Sequence, residues 1–431
     1  MRLVIKLNEA LMKTAERFLI EFKGEDYAFG EDALKQFGRY VDRIGNKVAI
    51  ITGGTGIRAG IVDVVKDSLK KRGKEVIGVL KGARPNTPRE DVYRLAYQLV
   101  KLGCDGVVAI GGGSVLDGAK AALVLALYGG VIDDYFGTGL VSAKSGGERI
   151  PLIAIQTASS SASHLTKYSN VTDMMTFQKK LIVDDSIVPR ASIFPYDVTK
   201  TMPLELTKDG ALDGISHCWE VWMGATGKEN YERISKVAYT GIKLIVEALP
   251  RALEDKEDLE ARYALCLGTD LGGYSIMLGG TSGGHLGSFS LVDVLTHGRA
   301  CAILNPYYTI LFSSAIQDQL KRVAKIYVDN GYMDEAESRL KGRELAEAVA
   351  RGMINFAKRI KFPTTLKEAG ATERHIERMV NAAKDPQLKM KLENMPVPLR
   401  AEAGDVDRLM KPTLEAAYTG DFSLIPEVKP R

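Results

Sequence analysis

Histidine is scarce in this chain. Only five occur among 431 residues, yet three of them fall in two short stretches, "DGISH" (213–217) and "GGHLGSFSLVDVLTHG" (283–298). Cysteine is scarcer still. Cys104, Cys218, Cys266 and Cys301 stand far apart with no C-x-x-C pair, so neither a disulfide framework nor a zinc–cysteine cluster is indicated, and a reducing cytoplasm is the implied compartment. Blocks of like charge are absent as well. The net charge of +4 is spread along the chain and gives no electrostatic case for nucleic acid or membrane binding. Long apolar runs are also lacking. The longest, "AALVLALYGGVI", is about half of a membrane span, contains two glycines and reads as a buried helix. The N-terminal "MRLVIKLNEALMKTAERFLIEF" mixes charges into its apolar residues and lacks the apolar core of a signal peptide. No internal repeat or low-complexity segment stands out.

What is present is ordinary globular composition, 45% hydrophobic and 26% charged, on a chain long enough for two domains. Over the first 195 residues or so, β-rich runs alternate with helical patterns. "KVAIIT" ends at Thr52, an amphipathic stretch runs from Arg58 to Lys71, and "EVIGVL" leads to a turn at "RPNTP". A helix is expected from Arg89 to Lys101, then "GVVAI" runs into "GGGS" and a helix near Ser114, and "PLIAIQT" is a further strand. Strands separated by helices of this length imply right-handed βαβ units and a parallel sheet. After about Pro195 long helical patterns dominate, as at Glu229–Ala248, Lys256–Gly268 and Glu344–Ile360. The expected division is an α/β dinucleotide-binding domain over 1–196 and a helical metal-binding domain over 197–431.

Two glycine loops compete for a nucleotide phosphate. "AIGGGSVLDGAK" sets Gly111, Gly112 and Gly113 between a strand and a helix, with Ser114 able to cap the helix or donate a hydrogen bond. A tight turn with no ligand would use the same residues. "TGGTGIRAG" spaces its glycines as G-x-G-x-x-x-G, and the following strand ends in lysine and glycine instead of a ribose-binding acid. Both features depart from the Rossmann fingerprint, and a P-loop is excluded by the missing G-K-[ST].

Asp213 and His217 are four apart, which on a helix puts both on one face. With His285 and His297 they would form a carboxylate–imidazole site suited to Fe2+ or Zn2+. The bland alternative is four satisfied core residues. His375 lies in a charged helix and reads as surface; His164, in "TASSSASHLTK", reads as a ligand contact or a plain loop residue.

"GGGSVLDGAK" matches the G-G-G-S-x-x-D-x-x-K signature of the iron-containing (group III) alcohol dehydrogenases, and "DGISH" matches their D-x-x-x-H pair. "HLGSFSLVDVLTHGRACAILNP" is similar to their histidine stretch, and "YAFGEDAL", "PNTP", "TASSSASHLTKYSNVTD" and "FPYDVTKTMP" follow in the family's order. The resemblance covers nearly the whole chain. It implies an α/β N-terminal domain with a parallel sheet, dehydroquinate synthase-like, followed by an all-α C-terminal domain. It implies Asp213, His217, His285 and His297 as metal ligands, and through the metal as the catalytic residues. It implies the pyrophosphate on Gly111, Gly112, Gly113 and Ser114, and Asp117 near the nicotinamide end. Thr157 would line the cofactor, Lys179 or Lys180 would reach its ribose, and Asn86 would add a polar contact.

The implied activity is NAD(P)-linked hydride transfer between a small alcohol and its aldehyde, with the substrate oxygen on Fe2+, or alternatively Zn2+, in a homodimeric cytoplasmic enzyme. Gly53 stands where similar dehydrogenases carry an aspartate that repels a 2′-phosphate, so NADP(H) is expected over NAD(H). The chain departs from the family in lacking a further histidine between His285 and His297, in its serine-rich loop with His164, and in "NMPVPLRAEAGD", where the family has N-P-R. The rival readings are a dehydroquinate synthase-like lyase or cyclase, a polyol-phosphate dehydrogenase of the same fold, and a non-catalytic metal-stabilised module. A cluster of Lys and Arg beside the histidines would favour the phosphate-binding rivals, and none is evident in the sequence.

Overall fold

The computed structural model describes residues 7–428. Packing divides the chain into two units, one from Leu19 to Pro203, the other combining the segment up to Phe18 with the chain from Leu204 onward. The later cut lies a few residues beyond the expected 196/197 boundary. The first helix, α1 (Glu9–Lys23), runs through the earlier cut. In the second unit Arg233 stacks on Phe18 and Tyr263 donates to Glu16, which explains why the segment before Leu19 groups with the later helices.

The first unit contains β1 (Tyr27–Phe29), β2 (Lys47–Thr52), α2 (Gly54–Arg58), α3 (Ile61–Lys71), β3 (Glu75–Lys81), α4 (Arg89–Leu102), β4 (Gly106–Gly111) and α5 (Gly113–Tyr128). It continues through β5 (Gly137–Thr138), the one-turn α6 (Ser142–Ser145), β6 (Leu152–Gln156), β7 (Tyr168–Asp173), β8 (Gln178–Val183) and β9 (Ala191–Phe194). Six strands form one parallel sheet in the order β1-β9-β6-β4-β2-β3. The runs "VAIIT", "GVVAIG" and "LIAIQ" are buried along their whole length, as strands covered on both faces require. The apolar run from Ala121 ends α5 and stops at Gly129, whose φ of 67° no longer continues the helix.

Two differences from the sequence reading have local causes. The amphipathic stretch expected from Arg58 becomes helical only at Ile61: Arg58 closes the short α2, and Gly60, with φ 69°, separates it from α3. β7 and β8 pair antiparallel, with β5 beside β8, in a separate three-stranded sheet; β7 is mostly polar and β8 offers only Leu181, Ile182 and Val183, too short a run to read as a strand.

The second unit is helical: α7 (Leu204–Met223), α8 (Tyr231–Glu254), α9 (Leu259–Leu278), α10 (Gly283–Ser288), α11 (His297–Leu311), α12 (Gln317–Asp329), α13 (Gly342–Arg359), α14 (Glu373–Ala383), α15 (Lys389–Glu393) and α16 (Lys411–Thr419). α9 runs ten residues past the expected end at Gly268. Its glycines are places of close approach: a Cβ on Gly268 would lie 2.6 Å from Ile245 Cγ1, and one on Gly272 would lie 3.1 Å from the Gly214 carbonyl of α7. Burial on neighbouring helices thus overrides glycine's helix-stopping tendency. Among the described residues no helix is long and apolar enough to cross a membrane.

Candidate active site

In the sheet unit the chain reverses direction of strand addition between β2 and β4: β3 lies on one side of β2, β4 on the other. In open α/β sheets ligands bind beyond the carboxyl ends of the strands at such a switch point. Both glycine loops are there, side by side, since Thr52 pairs with Ile110 and Gly53 N donates to Ile110 O at 3.0 Å. Gly112 caps α5 with an extended backbone, φ −82°, and a Cβ there would meet only Ala158 Cβ at 3.5 Å. Gly56, in contrast, is a packing glycine: a Cβ would lie 2.5 Å from Thr52 Oγ1 and 2.7 Å from Ile110 Cγ2.

The other expected cofactor residues divide into two groups. Ser114, Asn86 and Thr157 gather around the start of α5. Asn86 N donates to Ser114 Oγ at 3.1 Å, and Thr157 N donates to Gly111 O at 3.1 Å. Asn86 and Thr87 both hold positive φ, 66° and 50°, a strained pair of the kind that gathers at ligand sites. Asp117 is engaged by its own unit: it accepts from Ser163 Oγ at 2.5 Å and from the backbone and side chain of Asn170 at 3.0 and 3.1 Å. Lys179 is buried, whereas Lys180 pairs with Asp133 at 3.7 Å and lies 5.6 Å over the Phe136 ring. Gly53, with φ −85°, is not demanded by its backbone, and a Cβ there would touch only Val115 Cγ2 at 3.4 Å. Arg58 folds back toward Gly54 and donates to Thr55 Oγ1 at 3.4 Å. His164 is fully buried against Tyr27 and Phe194, which leaves it a core residue.

In the helical unit, α7 presents Asp213, His217 and Glu220 on one face. α10 brings His285, and His297 opens α11. Three imidazole Nε2 atoms surround one oxygen: His217, His285 and His297 lie 3.9, 3.7 and 3.8 Å from Asp213 Oδ1. These separations exceed a hydrogen bond and suit donors that share an ion. His285 Nε2 is buried with no hydrogen-bond partner. The compact set of ligand atoms, all within 4.8 Å of one another, comes from Asp213, His285, His297 and Cys301; His217 stands beside it, stacked on His285 at 4.7 Å.

The proton positions follow from the neighbours. Glu220, wholly buried, faces His285 Nδ1 at 2.8 Å and accepts from Ser282 N at 2.7 Å and His285 N at 3.3 Å. A carboxylate there can only accept, so the His285 proton sits on Nδ1 and the Nε2 lone pair faces Asp213. Ser288 Oγ donates its proton to His285 O at 2.7 Å, so at 2.9 Å from His297 Nδ1 it can only accept. His297 therefore presents the same tautomer. Burial, helped by His285 and Lys391, holds His217 well below the ordinary imidazole range and keeps it neutral. Burial would raise Glu220, but His285, Ser282 N–H and Lys391 outweigh it and hold its carboxyl low. The buried donor set thus fits a divalent ion: one carboxylate oxygen with three imidazole nitrogens around it, those of His285 and His297 turned inward by their partners on Nδ1.

Four residues of this centre were given no role at the site by the sequence. Glu220 had a usable signal, seven residues after Asp213 and three after His217 on the same helix face. Ser288 and Cys301 had only spacings of three from His285 and four from His297. Lys391 had none. It is a buried cation that donates to Thr281 Oγ1 and lies 5.5 Å over the Phe289 ring. His375, expected on the surface, has a side chain largely covered and 3.4 Å from Asp293.

Comparison with known proteins bears on both units. Residues 24–195 match the model of the iron-containing alcohol dehydrogenases, and residues 207–406 match that of the C-terminal region of the Fe-containing alcohol dehydrogenase family. The NAD-dependent methanol dehydrogenase of Bacillus methanolicus is 27% identical over 82% of this chain and 90% of its own. The NADPH-dependent butanol dehydrogenase of Clostridium saccharobutylicum is 28% identical over 83% of this chain and 88% of its own. The structure of NADH-dependent butanol dehydrogenase A from Thermotoga maritima superposes with a TM-score of 0.76 at 26% identity, covering 91% of this chain and 97% of that one. The lyase and polyol-phosphate readings are not favoured by these likenesses. The chain belongs to the iron-containing alcohol dehydrogenase family and is an NAD(P)-dependent oxidoreductase acting on alcohols.

Proposed function

We propose that Asp213, His217, His285 and His297 hold a catalytic Fe2+, with Zn2+ the alternative, and that the enzyme interconverts small alcohols and aldehydes with NADP(H) in preference to NAD(H). One observation carries the metal reading: three imidazole nitrogens at 3.7–3.9 Å around a single carboxylate oxygen. When bound, the ion supplies Lewis acidity toward the substrate oxygen and the nicotinamide exchanges hydride with the substrate carbon. The chain's own groups prepare the site. Glu220 and Ser288 keep the protons of His285 and His297 on Nδ1, which orients both rings and leaves Nε2 as a donor. Asp213 and His217 are 5% exposed at their side chains and His285 4%, whereas His297 is 20% exposed, so a substrate oxygen reaches the site from the side of His297.

On the nucleotide side, the amides at the start of α5 support a pyrophosphate at Gly111–Ser114, flanked by Asn86 and Thr157. For the 2′-phosphate, Gly53 offers neither charge nor bulk, and Arg58 and Thr55 supply a cation and a hydroxyl close by. The relatives' names divide between the two nicotinamides, so the argument rests on this loop. A cytoplasmic homodimer is the accompanying expectation, from cysteine usage and from the family resemblance.

The test is anaerobically metal-loaded protein assayed on a panel of alcohols and aldehydes with both nicotinamides, beside His217→Ala and His297→Ala. Turnover with a higher kcat/KM for NADP(H), and loss of both metal and rate in the variants, is the expected result. Full occupancy and near-normal rate in both variants would remove the metal assignment, and a strong NAD(H) preference would remove the role given to Gly53.

A further inference from the structure

Cys301 stands one turn after His297 on α11 and is buried. A buried cysteine is commonly only a small hydrophobe. Three features of this one point elsewhere. Its Sγ belongs to the set of ligand atoms, with those of Asp213, His285 and His297, that all lie within 4.8 Å of one another. His285 Nε2, buried and without a hydrogen-bond partner, points into the same space, 3.7 Å from Asp213 Oδ1. A cation is also at hand. Lys391, buried with its ammonium on Thr281 Oγ1 and 5.5 Å over the Phe289 ring, is lowered by burial to about 8, with Glu220 and Cys301 acting against that.

We propose that Cys301 gives a thiolate to the ion of this site, so that the centre is a mixed carboxylate, imidazole and sulfur site. The proposal rests on the metal reading above. Forming the metal–sulfur bond sends the S–H proton to solvent and changes no oxidation state. The charges of a divalent ion, the Asp213 carboxylate and the Cys301 thiolate sum to zero, and Lys391 offsets the remaining charge of Glu220. A sulfur donor makes the site softer than one of oxygen and nitrogen alone and moves its preference toward Zn2+ and Co2+, away from Mg2+ and Mn2+.

Co2+ separates the two claims. The full-length protein, stripped with a chelator and loaded with Co2+, is read by absorption spectroscopy. Visible ligand-field bands report an ion in the site, and a near-ultraviolet sulfur-to-cobalt charge-transfer band reports thiolate ligation. The wild type is expected to show both. Cys301→Ser and Cys301→Ala are expected to keep the visible bands and lose the charge-transfer band, and Asp213→Ala to lose both. Near-ultraviolet circular dichroism checks that the variants fold, and the near-isosteric serine keeps the comparison available if alanine does not. Visible bands without charge transfer in the wild type, or charge transfer surviving in Cys301→Ala, overturns the thiolate and leaves the metal site standing. A wild type that takes up no Co2+ overturns both.

Discussion

Glu220 makes no contact with a substrate in this reading, yet the tautomer of His285 depends on it. A single buried carboxylate receives three N–H groups: two from the backbone of Ser282 and His285, and one from the imidazole. Glutamine at this position keeps the shape but carries an amide that cannot accept on both ends. One of the three donors then loses its partner, and the His285 ring is no longer held in one orientation. Groups placed behind a metal ligand in this way typically change affinity by about 10–100-fold. Glu220→Gln is therefore expected to weaken metal binding by on the order of tenfold or more, measured by competition with a chromogenic chelator. An unchanged affinity would show that the ring is held by packing alone. The residue was within reach of the sequence, because its spacing from Asp213 and His217 is helical, but an acid on a helix carries no signal until its burial is known.

At the scale of the element, α5 and its preceding loop are the part of the fold that sequence reads best. A buried strand, three glycines and an amphiphile-poor helix leave little choice of conformation, and the observed helix starts at Gly113. The two glycine loops nevertheless differ in a way their sequences do not disclose. Gly112 has space for a Cβ, whereas Gly56 has Thr52 and Ile110 against it. Gly112→Val is expected to leave the thermal midpoint near that of the wild type and to raise the Kd for the dinucleotide at least about tenfold, as expected for losing one charge-assisted hydrogen bond of about 1.5–3 kcal/mol. Gly56→Val is expected to fail differently, by lowering the midpoint. Isothermal titration and thermal unfolding on the two variants distinguish these outcomes. Equal Kd for Gly112→Val and the wild type would move the phosphate away from this helix.

At the scale of the whole molecule, buried lysines couple stability to pH. Lys120 is fully buried, and its ammonium donates to the carbonyls of Ser163, Thr166 and Tyr168 at 2.6, 2.8 and 2.9 Å. Burial lowers it from 10.5 to about 7, with Asp117 opposing. Lys391 and Lys23 are lowered by burial in the same direction, each to about 8. A lysine whose folded pKa lies below its unfolded one costs stability while it is charged. That cost is complete below the folded value and fades as pH rises to the unfolded value, because over this window the unfolded chain binds more protons. Between pH of about 7 and 10 these three groups therefore contribute an increase of unfolding free energy with pH, each by on the order of 1 kcal/mol per unit where it titrates. Lys120→Met is expected to flatten that rise near its lower end, while lowering stability overall because three carbonyls lose a donor. Urea unfolding across this range gives both numbers, and an unaltered slope would mean that Lys120 stays charged throughout.

Periodicity and composition alone located the strands β2, β3, β4 and β6, the position of both glycine loops, and the placing of Asp213 and His217 on one helix face, since each depends on neighbours within one element. β7 escaped because its residues are mostly polar and β8 because Gln178, Lys179 and Lys180 leave it only three apolar residues, and α9 was cut short at Gly268 because glycine reads as a stop until a neighbouring helix is seen against it. What only the tertiary structure decided is which side chains converge. Glu220, Ser288, Cys301 and Lys391 come from four helices or their ends, and Lys391 lies more than 90 residues beyond the last histidine of the centre. Local sequence encodes conformation through backbone preference and hydrophobic period, whereas a metal centre is assembled by contacts between distant segments, whose geometry no local pattern carries.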